Sequence, residues 1–222
     1  KWKAIDQVTK QELRNIQDET VLQEGKLFAK LQSILPDRAN LVVGNSMPIR
    51  NVDTFFHDSE KEIRIFANRG ANGIDGTIST ALGIAASSEQ PTVLALGDLS
   101  FFHDMNGLLA AKMHNLNLLV IVINNDGGGI FSYLPQAQEE RHFEELFGTP
   151  HGLSFEHTAA LYGANYACPA TWDEVDEAIS SWSGNPDFRV VEVVTDRKYD
   201  VETYRALVKH VSQEIRAMRH VD

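Results

Sequence analysis

The sequence predicts an α/β fold with a mostly parallel sheet and helices on both of its faces. Short apolar segments alternate with segments of helical periodicity along most of the chain. Two of these segments, 92–96 and 118–123, are continuous apolar runs, which is typical of strands buried on both faces of a parallel sheet. A helical segment at 100–115 lies between them, so the three form one β-α-β unit.

Composition indicates a globular protein and argues against several functional classes. Of the 222 residues, 43% are hydrophobic and 23% are charged, which is ordinary for a globular chain. The net charge is −11 and the sequence has no cluster of basic residues, so nucleic acid is not an expected partner. No apolar run approaches the roughly 20 residues that span a bilayer, and no signal peptide is visible. The single cysteine, Cys168, fits a reducing compartment, and we expect a cytoplasmic protein.

The remaining elements are predicted in chain order. Residues 1–35 should be largely helical, with 1–18 a linker or the remnant of a preceding domain and 19–222 one domain. Because the chain begins at Lys1 and not at a methionine, we expect it to be part of a longer protein. Further strands are predicted at 41–43, 63–66, 165–167 and 188–194. Further helices are predicted at 75–86, 130–147 (interrupted by Pro135), 155–162, 171–181 and 201–218.

Four of the predicted strands end in loops rich in Gly, Asn, Asp or Ser. These loops begin at Gly44, Asn68, Gly97 and Asn124. Such residues are common in any strand-to-helix turn, so one loop alone says little about function. Parallel strands, however, end at the same edge of a sheet, and open α/β sheets bind their ligands at that edge. The four loops together therefore predict a binding site.

Asp98 and Asn125 place oxygen donors on two neighbouring loops of this edge. Mg²⁺ is typically held by one or two such side chains together with substrate phosphates. A backbone carbonyl near Gly127 would add a third ligand, and the N–H groups that open the helix at Ser100 would face the anion. The chain has neither a G-x-G-x-x-G after a strand nor the G-K-[ST] of a P-loop. A metal-bridged diphosphate is therefore the favoured interpretation.

Four sequence blocks resemble the thiamine-diphosphate enzymes. Gly97-Asp98, followed by the double asparagine that ends at Asn125, is similar to the cofactor-binding signature of that superfamily. The blocks more closely resemble its MenD family, the 2-succinyl-5-enolpyruvyl-6-hydroxy-3-cyclohexene-1-carboxylate synthases. Leu99, where many relatives carry glycine, favours this branch over acetolactate synthases and simple 2-oxo acid decarboxylases. The blocks are residues 43–50, 68–76, 97–104 and 124–131, and the resemblance extends from about residue 20 to the C-terminus.

The resemblance implies how the cofactor would be held. Asp98, Asn125 and the carbonyl of Gly127 would bind Mg²⁺ or Mn²⁺. Ile74 would be the apolar wedge that bends the cofactor, although an isoleucine that opens a helix is otherwise an ordinary core residue. The residues that would contact thiamine diphosphate are Asn45, Ser46, Ile74, Gly97, Asp98, Leu99, Ser100 and Asn125.

The resemblance also implies how substrates would be held. Arg50 and Arg69 would bind substrate carboxylates, which the fork of an arginine side chain matches. The alternative is that both are solvated surface arginines. Ile130, Phe131 and Leu134 would form an apolar wall for the substrate ring, whereas the alternative is ordinary helix packing. His103 and Asp104 are expected to be structural, with Asp104 serving the N-terminus of its helix.

The activity that the resemblance implies belongs to a full-length enzyme. That enzyme would decarboxylate 2-oxoglutarate and add the resulting carbanion to isochorismate, in menaquinone biosynthesis. The glutamate that activates the cofactor lies, in this superfamily, on the N-terminal pyrimidine-binding domain of a neighbouring subunit. We find no glutamate in an apolar setting here, so no catalytic residue is assigned and the chain alone should be inactive. The full-length protein should be a homodimer or homotetramer.

Two alternative functions are compatible with the same residues. One is another thiamine-diphosphate enzyme, of the 2-oxo acid decarboxylase or acetolactate synthase type, which Arg50 and Arg69 disfavour. The other is a non-catalytic module that keeps the fold and only binds a diphosphate.

Overall fold

A parallel sheet organises the chain. The structure, a computed structural model, describes residues 2–57, 59–184 and 186–218. Residue 1 of the predicted segment 1–18 and residues 219–222 of the predicted domain 19–222 lie outside the described residues. The strands are β1 (Asn40–Val43), β2 (Arg64–Ala67), β3 (Thr92–Gly97), β4 (Leu118–Asn124), β5 (Asn165–Ala167) and β6 (Phe188–Val194). They lie in the order β2-β1-β3-β4-β6-β5, and every neighbouring pair is parallel. The predicted α/β fold and the positions of its strands are confirmed.

Helices cover both faces of this sheet. They are α1 (Trp2–Leu13), α2 (Glu24–Ile34), α3 (Met47–Phe55), α4 (Thr77–Ser87), α5 (Asp98–Asp104), α6 (Leu108–His114), α7 (Glu156–Tyr162), α8 (Trp172–Gly184) and α9 (Arg197–Met218). Alternate strand residues point to opposite faces, so Val93 and Ala95 of β3 join one hydrophobic cluster and Leu94 and Leu96 the other. The first cluster includes side chains of α2, α3, α8 and α9, and the second those of α4 to α7.

The N-terminal segment packs against the rest of the chain. Helix α1 contacts α9, and a 3₁₀ turn at Arg14–Asp18 follows it. Ile16 of that turn is buried and belongs to the same cluster as α2 and α8. The division of the chain at residue 18 remains a prediction.

Three predicted helical features differ from the structure. Helix α3 was not predicted, because the loop residues Gly44 to Ser46 masked the apolar side chains that follow them; Val52 and Phe55 are buried. The segment predicted as one helix at 100–115 is two helices joined by a 3₁₀ turn at Met105–Gly107. The segment 130–147 contains 3₁₀ turns at Gly129–Tyr133 and Pro135–Gln138 and then a π turn, so the predicted α-helix there is wrong.

Asp104 explains the break between α5 and α6. Its carboxylate accepts hydrogen bonds from the N–H of Ser79, at 2.7 Å, and from the Ser79 hydroxyl, at 3.1 Å. A Cβ on Gly107 would lie 2.7 Å from that hydroxyl oxygen, so a side chain here would displace the Ser79 hydroxyl from Asp104. Asp104 is structural, as expected. It accepts hydrogen bonds from the N-terminal turn of α4, however, and not from that of its own helix.

Within the described ranges, no helix is both long enough and apolar enough to cross a membrane.

Candidate functional site

The loops that follow β1, β2, β3 and β4 meet around one pocket of about 340 Å³. The order of the strands reverses between β1 and β3, and such a reversal opens a crevice at the carboxyl edge of a sheet. Gly97 of β3 is paired with Ile123 of β4, so Asp98 and the asparagines after Ile123 emerge side by side. The predicted site residues that line the pocket are Asn45, Ser46, Arg50, Arg69, Ile74, Gly97, Asp98, Leu99, Ser100, Asn125, Gly127, Ile130 and Phe131.

Asp98 lines this pocket as a buried carboxylate, with only 1% of its surface exposed. Its Oδ1 accepts the N–H of Leu99 at 2.6 Å, and its Oδ2 accepts the N–H of Gly127 at 2.9 Å. Burial raises the pKa of Asp98, and the hydrogen bonds from Gly127 and Leu99 oppose that rise. A carboxylate offers about four lone pairs, so these bonds leave room for a further ligand.

His151 gives Asp98 a third partner. Its Nδ1 accepts the N–H of Leu153 at 2.9 Å, so the proton of the neutral ring is on Nε2. Nε2 lies 3.1 Å from Asp98 Oδ2 and therefore donates to it. Asp126 holds the segment from the other side, because its Oδ1 accepts the N–H groups of His151 and Gly152, each at 2.8 Å. The segment after residue 148 is thus tied to the loops that carry Asp98 and Asp126.

Asn125 presents an amide whose two ends have different surroundings. Its Nδ2 donates to Glu24 Oε1 at 2.7 Å. Its Oδ1 is buried and has no hydrogen-bond partner among the described residues. Buried polar atoms are rarely left unpaired in folded proteins, so an unpaired amide oxygen in a pocket suggests a missing ligand.

The glycines after Asn125 are required by close packing. Gly127 has φ +127, and a Cβ there would lie 1.9 Å from the carbonyl oxygen of Gly148. A Cβ on Gly129 would lie 2.5 Å from Asn125 Nδ2. The loop can therefore approach both Gly148 and Asn125 only because these positions lack side chains.

The two arginines lie at the rim of the pocket and are exposed. Arg50 donates to the carbonyl of Ser46 at 2.7 Å, and Arg69 donates to Asn45 Oδ1 at 2.7 Å. Ser46 has φ +73, which is unusual for a residue other than glycine and is a form of strain often found at functional sites. The arginines keep free donors for an anionic ligand, since each guanidinium has five N–H groups.

Asn45 uses its whole side chain to hold neighbouring loops. Its Nδ2 donates to the carbonyls of Asn68, at 3.0 Å, and Gly73, at 2.6 Å, while its Oδ1 accepts from Arg69. Ser100 likewise donates its hydroxyl to the carbonyl of Ile74 at 2.8 Å. Both residues line the pocket, and in this structure both also brace the loop that carries Ile74.

The predicted apolar wall is only partly assembled. Ile130 and Phe131 line the pocket and lie on the 3₁₀ turn after the glycines. Leu134 is not among the lining residues and is 39% exposed. The turn ends before Leu134, because the backbone there becomes extended ahead of Pro135. Its predicted contact with substrate remains a prediction.

Glu24 is a functional candidate that was not predicted from the sequence. It lines the pocket and is 3% exposed, and its carboxyl oxygens accept hydrogen bonds from the side chains of Asn125 and Asn51. That the chain holds no catalytic glutamate remains a prediction. Burial first, and then the charge of Asp200, raise the pKa of Glu24 to about 8. Glu24 and Asn125 are 101 positions apart in sequence, so no local pattern could have joined them. His151 was missed for the same reason.

Asp200 makes the stability of the chain depend on pH. Burial raises its pKa to about 6 from 3.8, and the N–H of Glu24, which donates to Oδ1 at 2.9 Å, opposes that rise. The stability from protonated Asp200 is therefore complete below pH 3.8 and is lost as the pH rises through about 6. We expect Asp200→Asn, which keeps the acceptor oxygen, to be more stable than the unsubstituted chain at pH 8, by about 3 kcal/mol, and similar to it at pH 4. Urea unfolding in EDTA at both pH values measures the difference; two parallel pH curves would contradict it.

The residues present fit a divalent cation with a diphosphate. Among the described residues, no three His, Cys, Asp or Glu side chains gather as a self-sufficient metal site. Asp98 and the unpaired Oδ1 of Asn125 supply the kind of oxygen donors that Mg²⁺ uses when phosphates complete its coordination. The carbonyl of Gly127 accepts the N–H of Gly129 at 3.0 Å and has a second lone pair to offer.

Comparison with known proteins agrees with this geometry. Residues 53–193 match the family described as thiamine pyrophosphate enzyme, C-terminal TPP binding domain. The 2-succinyl-5-enolpyruvyl-6-hydroxy-3-cyclohexene-1-carboxylate synthase of Bacillus velezensis is 47% identical over 216 residues, 97% of this chain and 37% of that protein. The synthase of the same name from Bacillus cytotoxicus is 48% identical over 222 residues, 100% of this chain and 38% of that protein. The resemblance to the MenD family is thereby confirmed.

A solved structure supports the fold. Benzoylformate decarboxylase from Polynucleobacter necessarius superimposes with a TM-score of 0.67 at 18% identity, over 79% of this chain and 33% of that one. The chain spans little more than a third of the length of the curated relatives it matches. It belongs to the family of C-terminal thiamine pyrophosphate-binding domains of thiamine pyrophosphate enzymes.

Proposed function

We propose that this chain is the diphosphate-binding part of a synthase that decarboxylates 2-oxoglutarate and joins the remainder to isochorismate. The observation that carries the proposal is one pocket lined by Asp98, by Asn125 with its unpaired Oδ1, and by two exposed arginines. Identity of 47% to a synthase of that name supports the choice of reaction. The product would be 2-succinyl-5-enolpyruvyl-6-hydroxy-3-cyclohexene-1-carboxylate, in menaquinone biosynthesis.

The residues at the bottom of the pocket would hold the cofactor. Asp98, Asn125 and the Gly127 carbonyl would bind Mg²⁺ or Mn²⁺, and the cation would bind the diphosphate. Thiamine diphosphate, when bound, supplies the electron sink that lets a 2-oxo acid lose CO₂. Leu99 and Ser100 line the same side of the pocket, and Ile74 stands beside them as the apolar residue that would set the cofactor's shape.

The residues at the rim would hold the substrates. Both proposed substrates carry carboxylates, and Arg50 and Arg69 are the cations that line the pocket of a chain with a net charge of −11. An arginine fork binds a carboxylate through two parallel hydrogen bonds. Ile130 and Phe131 would exclude water from the other side of the substrate.

The proposed enzyme needs a part that this chain does not supply. We propose that an N-terminal pyrimidine-binding domain of a neighbouring subunit contributes the activating glutamate, in a cytoplasmic homodimer or homotetramer. The 222-residue chain is therefore expected to bind Mg²⁺ and thiamine diphosphate weakly and to turn over no substrate.

Substrate choice tests the proposal. The full-length protein containing this chain should consume 2-oxoglutarate in the presence of isochorismate and should not use pyruvate in its place. Arg69→Ala should raise KM for a substrate by at least tenfold, about 1.4 kcal/mol, because a carboxylate loses its partner. Arg64→Ala is the matched control, since Arg64 is exposed at the opposite end of β2. Activity with pyruvate alone would favour the acetolactate synthase alternative, and no cofactor-dependent activity would favour a binding module.

A further inference from the structure

Glu24 lies in the first turn of α2, outside the segment 53–193 that matches the family. Its side chain nevertheless reaches the pocket and joins three parts of the fold. Oε1 accepts a hydrogen bond from Asn125 Nδ2 at 2.7 Å, and Oε2 accepts one from Asn51 Nδ2 at 2.8 Å. Its backbone N–H donates to Asp200 Oδ1 at 2.9 Å. Glu24 is thus held in place by α3 and α9 while it contacts the loop after β4.

The hydrogen bond to Asn125 decides which end of that amide faces the pocket. The oxygen and nitrogen of an asparagine side chain are similar in size. In the structure both oxygens of Glu24 accept hydrogen bonds, one from Asn51 and one from Asn125, and only the nitrogen of each amide can donate them. Binding of Nδ2 by Glu24 therefore turns Oδ1 away from Glu24. Oδ1 is buried and has no partner among the described residues, so it is available to a cation. Without Glu24, the amide could turn and present N–H groups, which a cation repels.

We propose that Glu24 is a positioning residue for the metal site: its carboxyl fixes the Asn125 amide with Oδ1 toward the divalent cation. This rests on the proposed function, since it requires that Asn125 bind that cation. The alternative is that Glu24 only links α2, α3 and the β4 loop, in which case its loss would change stability without any particular effect on the cation.

Two variants separate these roles. Glu24→Met has a similar shape and offers no acceptor to Asn125. In the double variant Glu24→Gln with Asn51→Asp, the new carboxylate at position 51 accepts from the Gln nitrogen, which leaves the Gln oxygen for Asn125 Nδ2. The double variant keeps the charge and volume of the pair and does not alter a metal ligand.

The measurement is Mn²⁺ binding by the 222-residue chain at saturating thiamine diphosphate. The concentration of free Mn²⁺ is monitored by electron paramagnetic resonance. We expect Glu24→Met to weaken Mn²⁺ binding at least tenfold while thermal unfolding without metal shows that it is folded. The double variant should bind within about threefold of the unsubstituted chain.

Three results would count against the inference. Equal binding by Glu24→Met would overturn it, and so would a double variant as weak as Glu24→Met, because that loss would not depend on amide orientation. Absence of Mn²⁺ binding by the unsubstituted chain would overturn the proposed function itself, and this outcome is distinct because it involves no substitution at Glu24.

Discussion

Replacing Asp98 with Asn should weaken the binding of Mg²⁺ and thiamine diphosphate by at least about a hundredfold, or about 3 kcal/mol. Asp98 is the 1%-exposed carboxylate of the pocket, and the other proposed ligands are a neutral amide and a carbonyl. Its loss removes the protein's only charge in the proposed ligand set. Asn keeps an oxygen to accept one of the N–H groups from Leu99 and Gly127, so the loop should stay folded. Isothermal titration calorimetry with Mg²⁺ and thiamine diphosphate measures the change.

Asp53→Asn provides the control for charge. Asp53 is exposed on α3, outside the pocket, and its loss changes the net charge of the chain by the same amount. It should leave cofactor binding within about twofold, because exposed charges are screened by solvent. Equal affinities of the Asp98→Asn variant and the Asp53→Asn control would show that the metal is not bound at the carboxyl edge of β3.

Gly127→Ala should produce the second large effect, on both folding and binding. A residue with a side chain is strained at φ +127, and its Cβ would lie 1.9 Å from the carbonyl oxygen of Gly148. That carbonyl also accepts the N–H of Gly128 at 2.7 Å, so the loop cannot move away without losing this bond. We expect a loss of about 2 to 4 kcal/mol in the free energy of unfolding and at least a tenfold loss of cofactor affinity. Urea unfolding and calorimetry measure the two effects.

Gly83→Ala is the matched control for this substitution. Gly83 lies in α4 and is exposed, and a methyl group at this position would meet no other atom within 4 Å. Alanine is favoured over glycine inside a helix by about 0.5 to 1 kcal/mol, so this variant should be slightly more stable. If Gly127→Ala were as stable as Gly83→Ala, the close contact with Gly148 would not exist in solution.

The sheet and its binding edge could be predicted from sequence because both depend on local patterns. Buried strands such as β3 and β4 are continuous apolar runs, and the residues that follow them mark the carboxyl edge. Helix boundaries were less predictable, since the break after Asp104 depends on its contact with Ser79 in another helix. The hydrogen-bond partners of Asp98 and Asn125 could not be predicted either, because they also depend on contacts between distant segments. His151 and Glu24 reach the site from distant parts of the chain, and only the folded structure brings them there.

The hydrogen bonds of Asn45 have a consequence for how substrate preference could evolve. One amide fixes both Arg69, which faces the proposed substrates, and Gly73, beside the isoleucine that would shape the cofactor. Substitutions at Arg69 and in the loop of Gly73 should therefore not be additive, because both act on the same Asn45 amide. A change of substrate preference made at Arg69 would therefore depend on the hydrogen bonds that Asn45 keeps to the loop on the cofactor side.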